Sequence, residues 1–146
     1  MAYTLSIIMH GPGITSRAHW GFIIHKSPNT YGNLLHVRVI DIPSNRFIFE
    51  HRSAHGLEEQ DSWGLCKITE LNDVQRLTVI SVLEKEKPPL GGAKDCQDWV
   101  VDALVALEVE ELVPDGTVMA WNGRLGMETE RVKGIVGRKW TSLNGH

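Results

Sequence analysis

The 146-residue sequence contains few cysteines and no long apolar run. Two cysteines, Cys66 and Cys96, are too few for a disulfide scaffold, and no C-x-x-C pair indicates a zinc ribbon or a redox motif. No apolar segment approaches the roughly 20 residues that cross a bilayer, and the N-terminus lacks the residue order of a signal peptide. We therefore expect a cytoplasmic protein without a stable membrane anchor.

An excess of basic charge is also missing. The chain has 15 Lys and Arg against 18 Asp and Glu, a formal charge of −3, and its cations are scattered along the sequence. A nucleic-acid partner would need a basic face, so this class is excluded. The glycines of "PLGGAK" lack the Gly-Lys-Ser/Thr ending of a phosphate loop. We expect a small-molecule substrate and no cofactor.

The first half of the chain is rich in β-branched and aromatic residues and is divided by turn-forming residues. This pattern predicts strands over residues 3–9, 19–25, 34–42, 46–52 and 62–69. Short turns between successive strands favour hairpins, and therefore an antiparallel sheet.

Helical spacing begins after residue 70. Val74, Leu77, Ile80 and Leu83 recur every three positions and predict an amphipathic helix that Asn72 or Asp73 caps. Further helices are predicted at about 96–108 and within 127–140, whereas "TVMAW" (117–121) reads as a strand or a buried loop. The chain is therefore predicted to be one α+β domain, 1–146, with a central cysteine-bearing helix.

Cys96 opens that central helix. Val100, Ala103, Leu104 and Leu107 share its face, so the sulfur is expected to point inward. A thiol in a first helical turn has its pKa lowered by the helix end, but the carboxylates of the neighbouring aspartates oppose this effect, and an imidazolium would be needed to hold a thiolate. The alternative is a buried cysteine that only fills the core.

Seven histidines offer partners for the thiol. His19 starts a predicted strand and His36 lies on the next, so His19 would be the base for Cys96 and His36 would orient His19. A second interpretation uses His51 and His55 of "HRSAH" as metal ligands, but no acidic residue is arranged as in a zincin, and we expect no metal. In the third, each histidine is a half-buried structural residue.

Two short motifs resemble a known family. "HWGFII" near the N-terminus and "DCQDWV" at the helix start are similar to the H-W-[AG] and N-C-x-x-[FW]-V motifs of the lecithin:retinol acyltransferase-like branch of the NlpC/P60 superfamily. The layout is also similar to that of small fungal proteins, some of which we would expect in secondary-metabolite pathways. The resemblance spans roughly residues 3–108 and implies a permuted papain-like fold, in which the histidine precedes the cysteine.

The resemblance assigns roles to individual residues. It implies Cys96 as the nucleophile, His19 as the general base and His36 as the polar residue on the next strand. The hairpin between the two histidines is longer than is usual in the family, which leaves His25 or Asp41 as alternatives to His36. The side chains predicted to contact substrate are Trp20, Gln97 and Trp121.

Three functions follow. The first is a thiol hydrolase or acyltransferase that acts on an amide, ester or thioester of a small molecule. The second is a small-molecule enzyme, for example in secondary-metabolite biosynthesis, that uses histidine acid–base catalysis without a covalent intermediate. The third is a catalytically silent binding module.

Overall fold

A computed structural model describes residues 2–146 as an α+β fold built on a six-stranded antiparallel sheet. The strands are β1 (Tyr3–His10), β2 (His19–His25), β3 (Tyr31–Asp41), β4 (Arg46–Gly56), β5 (Ser62–Leu71) and β6 (Trp140–Ser142). Their order across the sheet is β4-β3-β2-β1-β5-β6. The first five strands are confirmed where β-branched and aromatic residues predicted them.

Four α-helices follow the first five strands in the described part of the chain. They are α1 (Asp73–Lys85), α2 (Cys96–Val109), α3 (Thr117–Asn122) and α4 (Thr129–Val136), and a short 3₁₀ turn (Gly137–Lys139) leads into β6. Asn72 caps α1 through a reciprocal capping box with Gln75, and Asp95 caps α2 through a second box with Asp98. The predicted starts of α1 and α2 are therefore confirmed.

Two parts of the helical prediction are wrong. Residues 117–121 belong to helix α3, although Thr117 and Val118 favour a strand, because the buried Trp121 packs edge to face on Trp20. In α1, Val74 and Leu77 are exposed. That helix instead buries Val79 and Leu83, since only its C-terminal half lies against the core.

The sheet separates two apolar clusters. The larger cluster lies on the face covered by the helices and contains alternate residues of β1 and β2 together with the inner face of α2. A smaller cluster on the opposite face gathers Ile8, Ile23, Leu34, Leu57, Leu65 and Leu143. Alternation along β2 assigns Trp20 and Phe22 to the helix side and Gly21 and Ile23 to the other side.

No helix within residues 2–146 is long and apolar enough to cross a membrane.

Candidate active site

The site lies where strands β2 and β3 separate. Their pairing begins at Phe22 and Leu35, so residues 19–21 are not paired with β3. A Cβ atom built on Gly21 would lie 2.9 Å from the Cβ of His36, which shows that His36 lies directly over this glycine. His19 has the same alternation as Gly21, and the two histidines therefore share the sheet face opposite the helices.

A chain of short hydrogen bonds connects His19 to a carboxylate. His19 Nε2 lies 2.7 Å from His36 Nδ1, and His36 Nε2 lies 2.8 Å from Glu50 Oε1. Because a carboxylate only accepts, His36 donates its Nε2–H to Glu50, and a neutral His36 is left with an accepting Nδ1. His19 then donates Nε2–H to His36, and its Nδ1 carries a free lone pair. We call His19, His36 and Glu50 the imidazole relay.

Arginines surround the outer end of the imidazole relay. Glu50 Oε1 also accepts from Arg52 Nε at 3.0 Å, and Arg38 Nε lies 3.4 Å from Oε2. The hydrogen bond from His36 lowers the pKa of Glu50, and the two arginines act in the same direction. The carboxylate is therefore ionised at neutral pH, which fixes the direction of both hydrogen bonds.

The inner imidazole of the relay is neutral. Burial, together with the neighbouring His36 and His10, lowers the pKa of His19 to about 3. Burial also lowers the pKa of His36, against the opposing effect of Glu50. At neutral pH, His19 is therefore an unprotonated base.

A third imidazole lies beside His19. His10 is the cross-strand partner of His19 in β1, and the two ring centroids are 5.4 Å apart. A cavity of about 300 Å³ opens here, lined by both histidines, by Asp61 and by the loop 11–18. Burial lowers the pKa of His10 to about 4. Two neutral imidazoles thus line one opening.

Several buried polar atoms around His10 have no hydrogen-bond partner in the described chain. They include Nδ1 of His10, both ring nitrogens of His55 and Oγ of Ser62. Ser62 is the β5 partner of His10, and the His10 and His55 ring centroids are 6.5 Å apart. Buried polar groups are normally paired, so this set forms an unusually polar region beside the cavity.

Cys96 lies at the first position of α2, within the helix-side cluster, and is 7% exposed. The backbone N–H groups of Trp20, Gln97 and Cys96 itself act to lower the pKa of the thiol. The effect of Trp20 indicates that the sulfur lies near the start of β2, where Trp20 follows His19 in the chain. Within residues 2–146, no hydrogen bond joins this thiol to an imidazole ring.

The resting thiol is protonated. Burial raises the pKa of Cys96 to about 11; the backbone of Trp20 acts to lower it, and the Asp95 carboxylate acts to raise it. The first-turn N–H groups lower the pKa as expected and Asp95 opposes them, but the loss of solvent outweighs these N–H groups, so position alone does not activate the thiol. The second cysteine, Cys66, is also buried, and burial likewise raises its pKa to about 11.

Arg17 compensates the aspartates beside Cys96. Its Nη1 lies 3.3 Å from Asp95 Oδ1 and 3.2 Å from Asp98 Oδ2. The same contacts join the loop that precedes His19 to the start of α2.

The three residues predicted to contact substrate are all buried. Gln97 donates Nε2–H to Ala18 O at 2.9 Å and accepts the Gly126 N–H at 2.8 Å, so its amide ties three segments together. Trp20 packs on Trp121 in the helix-side core. Burial favours a positioning role for Trp20 and Gln97, and their contact with substrate stays a prediction. Trp121 lines a separate cavity, described below.

Other residues considered from the sequence lie elsewhere. His25 is at the far end of β2, and the exposed Asp41 bonds Ser44, so His36 alone of the three contacts His19. His51 and His55 lie on strand β4 rather than on a helical turn. His51 bonds Asn33, and no group of three potential metal ligands occurs in residues 2–146.

The sequence analysis missed Glu50, Arg17 and His10. Glu50 is the cross-strand partner of His36, a relationship that depends on the β3–β4 register. His10 and His19 face each other because the loop 11–18 closes a hairpin. Arg17 also acts on a distant part of the chain, at Asp95 and Asp98. None of these three relationships is indicated by the spacing of residues along the chain.

Residues 6–114 match a family of unknown function, DUF6540. Since the match covers most of the chain, the protein belongs to this family. Neither the curated proteins nor the solved structures include a match to the chain.

Proposed function

We propose that the protein is a thiol-dependent hydrolase or acyltransferase with a permuted papain-like arrangement, acting on an ester, thioester or amide of a small molecule. The supporting observation is the imidazole relay, which leaves a free lone pair on His19 Nδ1. The order of elements adds support, since the histidine strand precedes a central helix that begins at the cysteine. A nucleophile, a base and an orienting group are the parts that covalent acyl transfer needs.

The reaction begins from a neutral pair. Cys96 Sγ attacks the carbonyl carbon as its proton moves to His19 Nδ1, and a tetrahedral intermediate forms with the negative charge on oxygen. Collapse breaks the bond to the leaving group, which takes the proton from His19. Water, an alcohol or an amine then attacks the thioester and gives its proton to His19. That proton finally returns to the Cys96 sulfur as the product is released.

The oxyanion needs donors at the start of α2. The Asp95 side chain accepts the N–H groups of Gln97 and Asp98, and Asp95 O accepts that of Trp99. This leaves the Cys96 N–H, together with the Trp20 N–H that lowers the pKa of the resting thiol, as the proposed backbone donors near the sulfur. Both would be available to the oxyanion once sulfur has bonded to carbon.

Proton transfer is coupled to attack in this mechanism. The raised thiol pKa and the lowered imidazole pKa both disfavour a thiolate–imidazolium pair in the resting protein. Cys96 lies in the helix-side cluster and His19 on the opposite sheet face, so this mechanism requires the start of β2 to rearrange when substrate binds and to bring the imidazole to the sulfur. The mechanism therefore resembles that of a serine hydrolase more than that of an ion-pair cysteine protease.

Mass spectrometry of the acyl-enzyme tests the proposal. The protein is incubated with p-nitrophenyl acetate and, separately, with an acetyl thioester, and acetylated residues are mapped. We expect acetyl-Cys96 and turnover, both lost in Cys96→Ala and slowed at least a hundredfold in His19→Ala. Cys66→Ala is the matched control and should behave as the unmodified protein. Turnover that persists in full in Cys96→Ala would overturn the covalent mechanism.

One observation favours a second candidate, noncovalent acid–base catalysis by the histidines. The cavity beside His19 is lined by two neutral imidazoles and a carboxylate, whereas Cys96 does not line it. Under this alternative, Cys96→Ser keeps most of the activity toward the true substrate. His10→Ala and His19→Ala would each remove it, and no acetyl-Cys96 would form.

A further inference from the structure

A second cavity lies between β5 and the C-terminal helices. Its volume is about 400 Å³, within the range of small-molecule sites. It shares no lining residue with the cavity beside His19. Apolar groups form much of its wall, namely Ile68, Ala120, Trp121, Ile135 and Val136. Ile135 is 51% exposed, so an apolar ligand would cover surface that now faces water.

Two cations at this cavity have no carboxylate partner. The Arg124 guanidinium lies over the Trp121 ring, 4.7 Å from its centroid, and Lys139 lines the same cavity. Neither forms a salt bridge within residues 2–146. Stacking fixes the guanidinium plane while leaving its edge free to donate hydrogen bonds.

Both cations also act on Cys66, another lining residue of the cavity. Burial raises the pKa of the Cys66 thiol, and the positive charges of Arg124 and Lys139 lower it. The two charges thus affect the same lining residue.

The charged residues that line the cavity indicate the charge of the ligand it would bind. Lys67 also lines the cavity, but its Nζ lies 3.2 Å from Glu70 Oε1. Asp115 is the one carboxylate among the lining residues, so it offsets one of the two unpaired cations. The remaining excess of one positive charge fits a monoanion better than a phosphate dianion.

We propose that this cavity binds a small monocarboxylate with an aromatic or branched apolar body. The carboxylate accepts hydrogen bonds from Arg124 and forms an ion pair with Lys139. The apolar body packs on Trp121 and covers Ile135. This site is independent of the chemistry at Cys96 and His19.

Calorimetric titration with 2-naphthoate tests the site. We expect saturable binding of one molecule per chain, weakened at least about tenfold in Arg124→Gln and severalfold in Lys139→Gln, as expected when a charged hydrogen bond is lost. The matched control is Arg131→Gln, which removes an exposed cation of α4 outside the cavity lining and should leave binding unchanged. Cys96→Ala should also bind as the unmodified protein does.

Two comparison compounds separate the parts of the proposal. Naphthalene-2-methanol keeps the apolar body without the charge, and inorganic phosphate keeps the charge without the body; both should bind at least tenfold more weakly than 2-naphthoate. Equal binding of either compound, equal affinity in Arg124→Gln and Arg131→Gln, or no binding of 2-naphthoate would overturn the assignment. Lys139 is exposed, so its variant reports on the site even if Arg124→Gln fails to fold.

Discussion

Gly21 and His36 face each other across the opening between β2 and β3, and a methyl group on Gly21 would lie 2.9 Å from the His36 Cβ. Real Cβ contacts are essentially never that short, and the His36 Cβ cannot swing away without moving the backbone. Gly21 thus provides the space that lets the second imidazole reach the first.

Gly21→Ala should therefore disturb the imidazole relay. We expect the free energy of unfolding to fall by about 1–3 kcal/mol through overpacking, and esterase turnover to fall by more than that loss of folded protein explains. Urea unfolding and kinetics on folded protein measure the two effects. The control is Gly134→Ala, a helical position where no atom beyond the neighbouring residues and the helix's own backbone lies within 4 Å of the added methyl group. Unchanged turnover in Gly21→Ala would show that the His19–His36 bond is not needed.

Glu50→Gln should lower kcat while leaving KM nearly unchanged. Glutamine still accepts a hydrogen bond but lacks the charge that fixes the His36 tautomer. The fraction of molecules in which His19 Nδ1 is unprotonated and can accept a proton would therefore fall. Losses of about 10–100-fold are typical when such a supporting group is removed. Glu70→Gln, which breaks an exposed salt bridge with Lys67, is the matched control. Equal kcat in both variants would contradict a role for Glu50 in the relay.

Alkylation of Cys96 by iodoacetamide should show no low-pH plateau. With a thiol pKa of about 11, the rate should rise continuously from pH 7 to pH 10. His19→Ala should leave this profile unchanged, because His19 is neutral throughout the range. The measurement is made in Cys66→Ala, so that a single thiol reports. A plateau below pH 8 that disappears in His19→Ala would instead demonstrate a preformed ion pair.

The buried histidines should make the fold sensitive to acid. The folded-state pKa values of His10 and His19, about 4 and about 3, lie below the usual 6.5, so the unfolded chain binds more protons between these limits. Stability should therefore be fully present above pH 6.5 and fall as the pH drops toward 3. We expect Tm to be lower at pH 4.5 than at pH 7 by at least about 5 °C.

A matched variant isolates this effect from general acid denaturation. In His10→Gln one titrating imidazole is absent, and the difference in Tm between pH 7 and pH 4.5 should shrink. In a variant of the exposed His51, such as His51→Gln, that difference should be the same as in the unmodified protein. An equal pH dependence in all three proteins would contradict the low pKa of His10.

The strands and the two long helices could be predicted because their signals are local. Residues such as Ile23 and Leu34 alternate with the sheet, and Asn72 and Asp95 cap helices within three residues of themselves. Helix α3 could not be predicted, because β-favouring residues form it and the packing of Trp121 on Trp20 stabilises it. Strand β6 is only three residues long and depends on pairing with β5.

The residues of the candidate site also differ in whether a local sequence pattern indicates them. Cys96 and His19 stand at the starts of their elements and carry recognisable motifs, so the sequence pointed to them. Glu50 could not be found, since its partnership with His36 depends on a cross-strand register that no local pattern specifies. The direction of the Cys96 pKa shift could not be predicted from the sequence either, because it depends on how completely the folded chain excludes water from the sulfur.

The imidazole relay also ends at the surface. The Glu50 side chain is 24% exposed, whereas that of His36 is 10% exposed. Two hydrogen bonds thus link a buried nitrogen to bulk water without any opening of the core. The imidazole relay therefore gives the His19 ring a route for exchanging hydrogen for deuterium with solvent while the sheet stays folded.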